Sequence, residues 1–186
     1  ELSREFSINQ KLSEAIVRES DVVFGGVSGF VITSSNNIMA PNAGIDKSNS
    51  QGKLILYPDD PYQVAEQIKR KFFLDYNIHV GIIIVDSRLM PARIGTSGVA
   101  IACSGIEPVL DRRATKDLDG NVLKVTFQAI ADNLASIANH KMGEADELIP
   151  LAIIRESGAK LTDRRISSEE TTIPYDECIY FRGLKK

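Results

Sequence analysis

Apolar residues at helical spacing predict three helices. Leu12, Ile16 and Val17 lie on one face of a helix, which is typical of an amphipathic helix that buries a single side. Asp60 followed by Pro61 is a typical helix start, because aspartate caps the first amides and proline tolerates the first helical position. The predicted helices cover residues 11–21, 61–75 and 123–139.

Short runs of apolar and β-branched residues between polar turns predict strands. The run at residues 80–85 is almost entirely apolar, which favours burial on both faces, as in the centre of a sheet. Residues 34–37 predict a hairpin turn between two of the strands. The predicted strands cover residues 30–33, 38–40, 54–57, 80–85, 98–105, 151–154 and 179–181, the last at a sheet edge.

Composition narrows the class of protein. With 186 residues, of which 43% are hydrophobic, the chain is long enough for one globular domain with a core. Its net charge of −3 and the lack of a clustered basic face argue against a nucleic-acid-binding protein. The sequence shows neither a membrane-spanning run nor a signal peptide, so we expect a cytoplasmic protein without a membrane partner.

Sequence motifs for several common catalytic sites are missing. The chain has no Gly-x-Ser-x-Gly nucleophile elbow, no Walker-type phosphate loop and no Gly-x-Gly-x-x-Gly fingerprint. His79 and His140 are far in sequence from any plausible nucleophile. Cys103 and Cys178 have neither metal-ligand spacing nor a disulfide framework, so we expect two reduced thiols that act as small hydrophobic side chains.

The polar turn from Asn42 to Asn49 holds one acidic side chain, Asp46. Gly44 permits a positive φ or a close backbone approach, and short polar side chains such as Ser48 supply donors and acceptors. Two interpretations follow. Asp46 either caps backbone amides in an Asx-turn, which is the commoner use of such a turn, or it helps to hold a ligand or an ion.

Two further acidic positions suit a cation site. Asp86 follows the β-branched run, and open α/β sheets usually present ligand-binding groups at strand ends, although Asp86 could equally cap the next turn. Ser87 adds a second oxygen. Glu144 lies in an acidic turn, where exposed acids most often serve solubility. Because Mg²⁺ and Mn²⁺ prefer oxygen donors, Asp46, Asp86 and Glu144 together predict a shared divalent-cation site.

Several motifs, in order along nearly the whole chain, resemble the coenzyme F-420-0:L-glutamate ligase family, also called the F-420-0 gamma-glutamyl ligases. They are Asn42-Ala-Gly-Ile-Asp-Lys-Ser-Asn49, Tyr57-Pro-Asp-Asp-Pro61, Val85-Asp-Ser87 with Pro91, Gly98-Val-Ala-Ile-Ala with Gly105-Ile-Glu-Pro108, and Met142-Gly143. The resemblance implies an α+β (mixed α/β) fold with a central mixed sheet and flanking helices. It also implies that residues 1–186 form a single domain, the larger C-terminal part of the family's domain. The family's N-terminal segment is then missing, and the start at Glu1 rather than methionine fits a trimmed or partial chain.

The resemblance further implies an enzyme of coenzyme F420 biosynthesis, a GTP-dependent acid–amino-acid ligase. It would join the amine of L-glutamate to the lactyl carboxylate of the deazaflavin precursor coenzyme F-420-0, through an acyl phosphate and a two-metal site. The implied cofactors are divalent cations, Mg²⁺ or Mn²⁺, with K⁺ as a further candidate. The implied partners are GTP, L-glutamate, F-420-0 and a second copy of the chain in a homodimer.

Site residues carry over by the same resemblance, motif by motif. Asp46 and Asp86 are the implied catalytic residues and hold one metal, while Ser87 and Glu144 hold the second. The implied nucleotide contacts are Asn49, Met142, Gly143, Ala145, Asp146, Glu147, Leu148 and Ile149. All four implied metal ligands carry oxygen donors, in agreement with the preference of Mg²⁺ and Mn²⁺.

The sequence departs from the family pattern beside the implied metal site. Residues 87–93 read Ser-Arg-Leu-Met-Pro-Ala-Arg instead of Thr-Phe-Gly-Arg-Pro-Trp-Arg, and residues 95–97 read Gly-Thr-Ser instead of Gly-Gln-Thr. Ser87 keeps an oxygen donor, and Glu144 replaces an amide or basic residue. The altered loop leaves the acceptor open, so a related ligase with another carboxylate acceptor is an alternative. A non-catalytic GTP- and metal-binding module is a second alternative, suggested by the missing N-terminal segment.

Overall fold

The computed structural model describes residues 1–184 of the chain. Its helices are α1 (Leu2–Glu5), α2 (Gln10–Glu19), α3 (Pro61–Tyr76), α4 (Ile130–Met142) and α5 (Ile179–Leu184). Its strands are β1 (Val22–Val27), β2 (Phe30–Ser35), β3 (Ile38–Pro41), β4 (Ile82–Leu89), β5 (Thr96–Ser104), β6 (Val109–Asp111) and β7 (Phe127–Ala129). Short 3₁₀ turns lie at Asn42–Gly44 and Ser168–Glu170.

The chain's contacts divide it into two compact units. The first comprises Glu1–Asp59, Pro91–Arg93 and the chain from Thr172 onward, and the second comprises Asp60–Met90 and Ile94–Thr171. Within the described residues every strand pairing is antiparallel, and the strands form separate sheets of two or three. The predicted α+β class is therefore confirmed, whereas the predicted central mixed sheet is wrong. The assignment of one domain stays a prediction.

The first unit is built on an antiparallel meander of β1, β2 and β3. Helix α2 begins at the Asn9 cap, whose side chain accepts a hydrogen bond from the Lys11 amide at 2.8 Å. The helix buries Leu12 and Ile16 in a cluster that also contains Val31 of β2. The predicted helix at 11–21 and the predicted hairpin of β2 and β3 are both confirmed, with boundaries shifted by one or two residues.

Two predictions for the first unit are wrong, and one strand was not predicted. The strand without a prediction is β1, Val22–Val27. Residues 54–57 form no strand, only a single antiparallel bridge between Ile55 and Asp46. The predicted edge strand at 179–181 is helix α5, whose Phe181 ring lies 4.5 Å from the ring of Phe24. This aromatic packing outweighs the β-propensity of the short segment.

The second unit centres on the β4–β5 hairpin, against which α3 and α4 pack. Helix α3 starts as predicted, because the Asp60 side chain accepts a hydrogen bond from the Gln63 amide at 2.8 Å and proline follows it. A bulge after Ile84 interrupts the strand register. Beside the bulge, Asp132 of α4 accepts a hydrogen bond from the Ala100 amide at 3.0 Å and so ties the helix to the hairpin.

Predictions for the second unit fail at three places. Helix α4 begins at Ile130 rather than at 123, because Phe127–Ala129 pairs with Val109–Asp111 as strand β7. Strand β4 is only half-buried and has a single partner strand, so it is not the buried centre of a sheet. Residues 151–154 form no strand. The third predicted helix thus exists with a shorter range, and it ends at Met142 rather than at residue 139.

Cys103 and Cys178 are both free thiols, as predicted, and Cys103 is buried in a cluster with Ile106, Ala131 and Ile166. Burial raises the pKa of the Cys103 thiol to about 12, because the thiolate would lose its hydration there.

Over the described residues, no helix has the length and apolar character needed to cross a membrane.

Candidate active site

The turn that precedes Asp46 is held in an unusual backbone conformation. Asn42, Ala43 and Gly44 all have positive φ, of 51°, 58° and 68°. The Asn42 side chain is buried and its Oδ1 accepts a hydrogen bond from the Val31 amide at 3.0 Å, while the Ala43 amide donates to Oγ1 of Thr33 at 2.9 Å. Left-handed conformations cost energy for residues other than glycine and persist only where the surroundings impose them. Hydrogen bonds with Val31 and Thr33 of β2 therefore fix the conformation of the turn.

Gly44 joins this turn to the following motif. The ring of Tyr57 lies so close to the Gly44 backbone that a Cβ atom on this residue would overlap the ring carbons and the hydroxyl oxygen. The positive φ of 68° disfavours a side chain at the same position. Two residues further on, the amide of Asp46 donates to the Ile55 carbonyl at 3.0 Å, and the Ile55 amide donates back at 2.9 Å. The Asn42–Asn49 motif and the Tyr57–Pro61 motif thus meet at Tyr57.

The Asp46 carboxylate closes an Asx-turn. Its Oδ1 accepts hydrogen bonds from the amides of Lys47 at 2.6 Å and Ser48 at 2.8 Å, and its Oδ2 accepts one from the Ser48 hydroxyl. Partial burial acts to raise the pKa of Asp46, but the hydrogen bonds from Ser48 and Lys47 outweigh it, so the pKa is lowered. The capping interpretation is therefore confirmed. The carboxylate is exposed and anionic, so a cation could still reach it. The cation-binding role stays a prediction.

Asp86 and Ser87 lie inside strand β4 and not beyond its end. The prediction that Asp86 follows the strand is wrong, because β4 runs on to Leu89 in register with β5. Asp86 pairs with Val99, and Ser87 pairs with Gly98. Gly98 in turn lies against helix α4, since a Cβ there would come within 2.6 Å of Cβ of Asn139.

Glu144 is hydrogen-bonded to residues of α4 and β5 in the second unit. Its Oε1 accepts hydrogen bonds from Nδ2 of Asn139 at 2.9 Å and from Oγ1 of Thr96 at 3.1 Å. Asn139 therefore contacts both Gly98, the strand partner of Ser87, and the Glu144 carboxylate. The sequence motifs did not predict a role for Asn139 or Thr96. The one local signal was an asparagine in the last turn of a helix, where its helix propensity is low.

The segment that follows α4 surrounds a carboxylate with backbone amides. Gly143 ends the helix with a φ of 83°, and its amide donates to the Asn139 carbonyl at 2.9 Å. The Glu147 carboxylate folds back over Gly143 and accepts a hydrogen bond from the Ala145 amide at 2.8 Å. Backbone hydrogen bonds from Ala145, from Glu147 itself and from Glu144 lower the pKa of Glu147. Such an arrangement of amides favours an anion.

The remaining predicted nucleotide contacts differ in exposure. Met142 is half-buried at the end of α4, whereas Asp146 is exposed. Leu148 has a φ of 54° and is 92% exposed, and Ile149 is also exposed. Asn49 lies in the first unit, directly after the Asx-turn, with a φ of 48°. The segment from Met142 to Ile149 thus presents backbone groups and apolar side chains to solvent.

The predicted metal ligands form no complete set in the part of the chain that is described. Within residues 1–184, no three His, Cys, Asp or Glu side chains lie together as a group that could hold a metal ion. Asp46 belongs to the first unit, and Asp86, Ser87 and Glu144 belong to the second. The donor chemistry nevertheless suits Mg²⁺ or Mn²⁺, because every predicted ligand atom is oxygen and the lowered pKa keeps Asp46 ionised at neutral pH.

Comparisons with known proteins place the chain in a family. Residues 1–156 match the family described as F420-0:Gamma-glutamyl ligase. The chain therefore belongs to the F420-0:gamma-glutamyl ligase family, which confirms the resemblance drawn from its motifs.

Three similar relatives are each named coenzyme F420:L-glutamate ligase. The protein of Methanocaldococcus jannaschii is 40% identical over 156 residues, which cover 83% of this chain and 63% of the relative. That of Methanopyrus kandleri is 39% identical over 147 residues, 78% of this chain and 58% of the relative. That of Methanococcus maripaludis strain S2 is 35% identical over 164 residues, 88% of this chain and 66% of the relative. The matched part of the chain thus spans about 60% of the length of these relatives.

Proposed function

We propose that the protein is a GTP-dependent ligase that joins the amine of L-glutamate to the lactyl carboxylate of coenzyme F-420-0. The observation that carries the proposal is the family match over residues 1–156. The names of the relatives support the same substrates. The packing of Gly44 against Tyr57 adds support, because it joins the two most distinctive motifs of the chain at the Asp46 loop.

The proposed reaction has two steps. In the first, a carboxylate oxygen of F-420-0 attacks the γ-phosphorus of GTP, the bond to GDP breaks, and an acyl phosphate forms. In the second, the neutral amine of L-glutamate attacks the acyl carbon, its proton is released, and inorganic phosphate leaves the tetrahedral intermediate. The chain's own contribution is to orient the three substrates, because positioning supplies much of the rate in phosphoryl transfer.

Four residues would hold divalent cations, Mg²⁺ or Mn²⁺, in this proposal: Asp46, Asp86, Ser87 and Glu144. When bound, the cations would neutralise phosphate charge and align the attacking and leaving oxygens. Asp46 is suited to this role because its Asx-turn fixes the carboxylate and keeps it ionised. Glu144 is suited because hydrogen bonds from Asn139 and Thr96 orient its carboxylate.

Nucleotide contacts are proposed for Asn49 and for the segment from Met142 to Ile149. The amides that now bind the Glu147 carboxylate are the chemical groups that would bind a phosphate oxygen. A phosphate would therefore compete with Glu147 for these amides, and the Glu147 side chain would have to swing away from Gly143. We further propose that the protein acts in the cytoplasm as a homodimer, as the family resemblance implies.

Product mass tests the proposed function. The protein is incubated with GTP, Mn²⁺, L-glutamate and F-420-0, and the products are separated by mass spectrometry and nucleotide chromatography. We expect an F-420-0 derivative heavier by one glutamate residue, together with GDP, and loss of both products in Asp46→Asn and Asp86→Asn. If the unaltered protein forms neither the heavier product nor GDP, the proposal is contradicted.

A second candidate is a related ligase with another carboxylate acceptor. It is favoured by the β4–β5 connection, where the sequence departs from the family pattern and where Ile94 is fully exposed. The same assay distinguishes it from the first candidate. GTP turnover with another carboxylate, and none with F-420-0, would support the second candidate. Metal-dependent GTP binding without any turnover would instead support a non-catalytic module.

A further inference from the structure

A cavity of about 350 Å³ lies in the second unit, apart from every residue proposed above for metal or nucleotide binding. Its wall is formed by side chains of α3, by the chain before β4 and by residues around Leu161. The volume is within the range of small-molecule sites in proteins, at the lower end. Its charged or aromatic lining residues are Glu66, Lys69, Arg70, Phe73, His79 and Asp163.

One ion pair is built into the wall of the cavity. The Lys69 ammonium lies 2.9 Å from Oε2 of Glu66, and the Ser104 hydroxyl donates a hydrogen bond to the same oxygen. The Lys69 side chain is only 15% exposed, because its stem lies over Gly105, 3.0 Å from where a Cβ would stand. Partial burial acts to raise the pKa of Glu66, but the bonds from Ser104 and Lys69 outweigh it and lower the pKa. A fixed cation and a fixed anion therefore face the cavity.

Two more charged side chains line the same cavity, and neither has an ion-pair partner among the described residues. Arg70 and Asp163 are both exposed side chains, and neither makes a salt bridge to any residue between Glu1 and Leu184. The lining thus carries two acids and two permanent bases. A ligand with a single kind of charge would meet repulsion from one pair, whereas a zwitterion matches both.

The remaining wall is largely apolar. The Phe73 ring packs at 4.9 Å from the ring of His79, and Ile78 and Leu161 are each about half exposed beside it. Exposed apolar side chains that line a concave site favour a ligand with an apolar part. The combination of matched charges and an apolar wall defines the ligand class.

We propose that this cavity binds a free α-amino acid with an apolar side chain. The carboxylate of the ligand pairs with Arg70 and Lys69, its ammonium pairs with Asp163 and Glu66, and its side chain packs on Phe73. Guanidinium and carboxylate groups suit this pairing because charge-assisted hydrogen bonds are the strongest that side chains offer. The inference is independent of the ligase activity proposed above, since it concerns binding at residues that the ligase proposal does not use.

Titration of the ¹⁵N-labelled protein with L-phenylalanine tests the site without nucleotide or metal. We expect saturable shifts in the amide signals of residues around Gly105 and Thr162, at millimolar ligand or below. Phenylacetate, which lacks the ammonium group, and phenethylamine, which lacks the carboxylate, should each bind about tenfold more weakly. Shifts by phenylacetate at the same concentrations would show a simple anion site and overturn the proposal.

Variants of the two unpaired residues complete the test. Arg70→Gln and Asp163→Asn should each weaken L-phenylalanine binding about tenfold, because each removes one charge partner of the ligand. Both side chains are exposed, so the fold should be retained, as circular dichroism can check. The matched control Arg4→Gln, at an exposed position of α1, should bind as the unaltered protein does. Failure of L-phenylalanine to bind, tighter binding of L-glutamate, or equal binding by all variants would each contradict the proposal.

Discussion

Asn139 donates a hydrogen bond from its side-chain amide to the Glu144 carboxylate at 2.9 Å, across the end of helix α4. The same asparagine packs against Gly98, the strand partner of Ser87. A residue without charge thus connects two of the proposed metal ligands. Asn139 acts as a positioning residue for Glu144 in the proposed function.

Replacing Asn139 tests this role. Asn139→Ala should weaken metal-dependent GTP binding by up to about tenfold, because the Glu144 carboxylate loses one of its two hydrogen-bond donors. Titration calorimetry with GTP, in the presence and absence of Mn²⁺, measures the effect. Asn133→Ala is the matched control, since Asn133 is exposed on the same helix and gains the same helix propensity. Equal affinities for the two variants would assign Asn139 a structural role only.

Gly44 should be among the least replaceable residues of the first unit. Gly44→Ala should destabilise the protein by about 1–3 kcal/mol, because the new Cβ overlaps the Tyr57 ring and the backbone has a φ of 68°. Gly52→Ala is the control, since Gly52 has a similarly positive φ of 82° but open space around its Cα. Urea unfolding measures both. If Gly44→Ala lowers the free energy of unfolding no more than Gly52→Ala does, the contact with Tyr57 contributes nothing.

The Asx-turn of Asp46 predicts how stability depends on pH. The folded-state pKa of Asp46 is below the ordinary value of 3.8, so the ionised carboxylate stabilises the fold above that pH. This contribution is lost as the pH falls through the folded-state pKa. The unfolding midpoint of Ser48→Ala should therefore fall below that of the unaltered protein at neutral pH, and the difference should shrink in acid, as the pH falls below 3.8 and through the folded-state pKa. A difference that is the same at both pH values would rule out the carboxylate as its cause.

The two thiols should differ sharply in reactivity. Cys103 is buried and its pKa is raised to about 12, so roughly one thiol in ten thousand is ionised at pH 8. Cys178 is only half-buried. Iodoacetamide should therefore alkylate Cys178 in the folded protein and both thiols after unfolding, as peptide mass mapping can show. In Cys178→Ser, rapid alkylation of the folded chain would contradict the burial of Cys103.

Local signals in the sequence predict the elements that are stabilised locally. The Asp60 cap and Pro61 define the start of α3, and the polar turn at 34–37 defines the β2–β3 hairpin. The failures have distant causes. Strand β1 depends on pairing with β2, and α4 is shortened because Phe127–Ala129 pairs with β6. Helix α5 depends on contacts of Phe181 with Phe24, far away in the chain.

The same difference between local and distant contacts holds for the candidate site. The capping geometry of Asp46 was accessible from the sequence, because an Asx-turn involves only the next two residues. The hydrogen bond from Thr96 to Glu144 joins residues 48 positions apart, and no local pattern encodes it. The position of Asp86 inside β4 depends on its register with β5, which the apolar run at 80–85 does not specify.

The central claim is that Asp46 and Asp86 hold divalent cations for a GTP-dependent ligase. A crystal structure of the protein with Mn²⁺ and GDP, with anomalous scattering to identify the metal, tests it most directly. The account predicts two Mn²⁺ ions about 3.5–4 Å apart, with oxygens of Asp46, Asp86 and Glu144 among the ligands. Mn²⁺ bound elsewhere, with the Asp46 carboxylate still occupied only by the Lys47 and Ser48 donors, would contradict it.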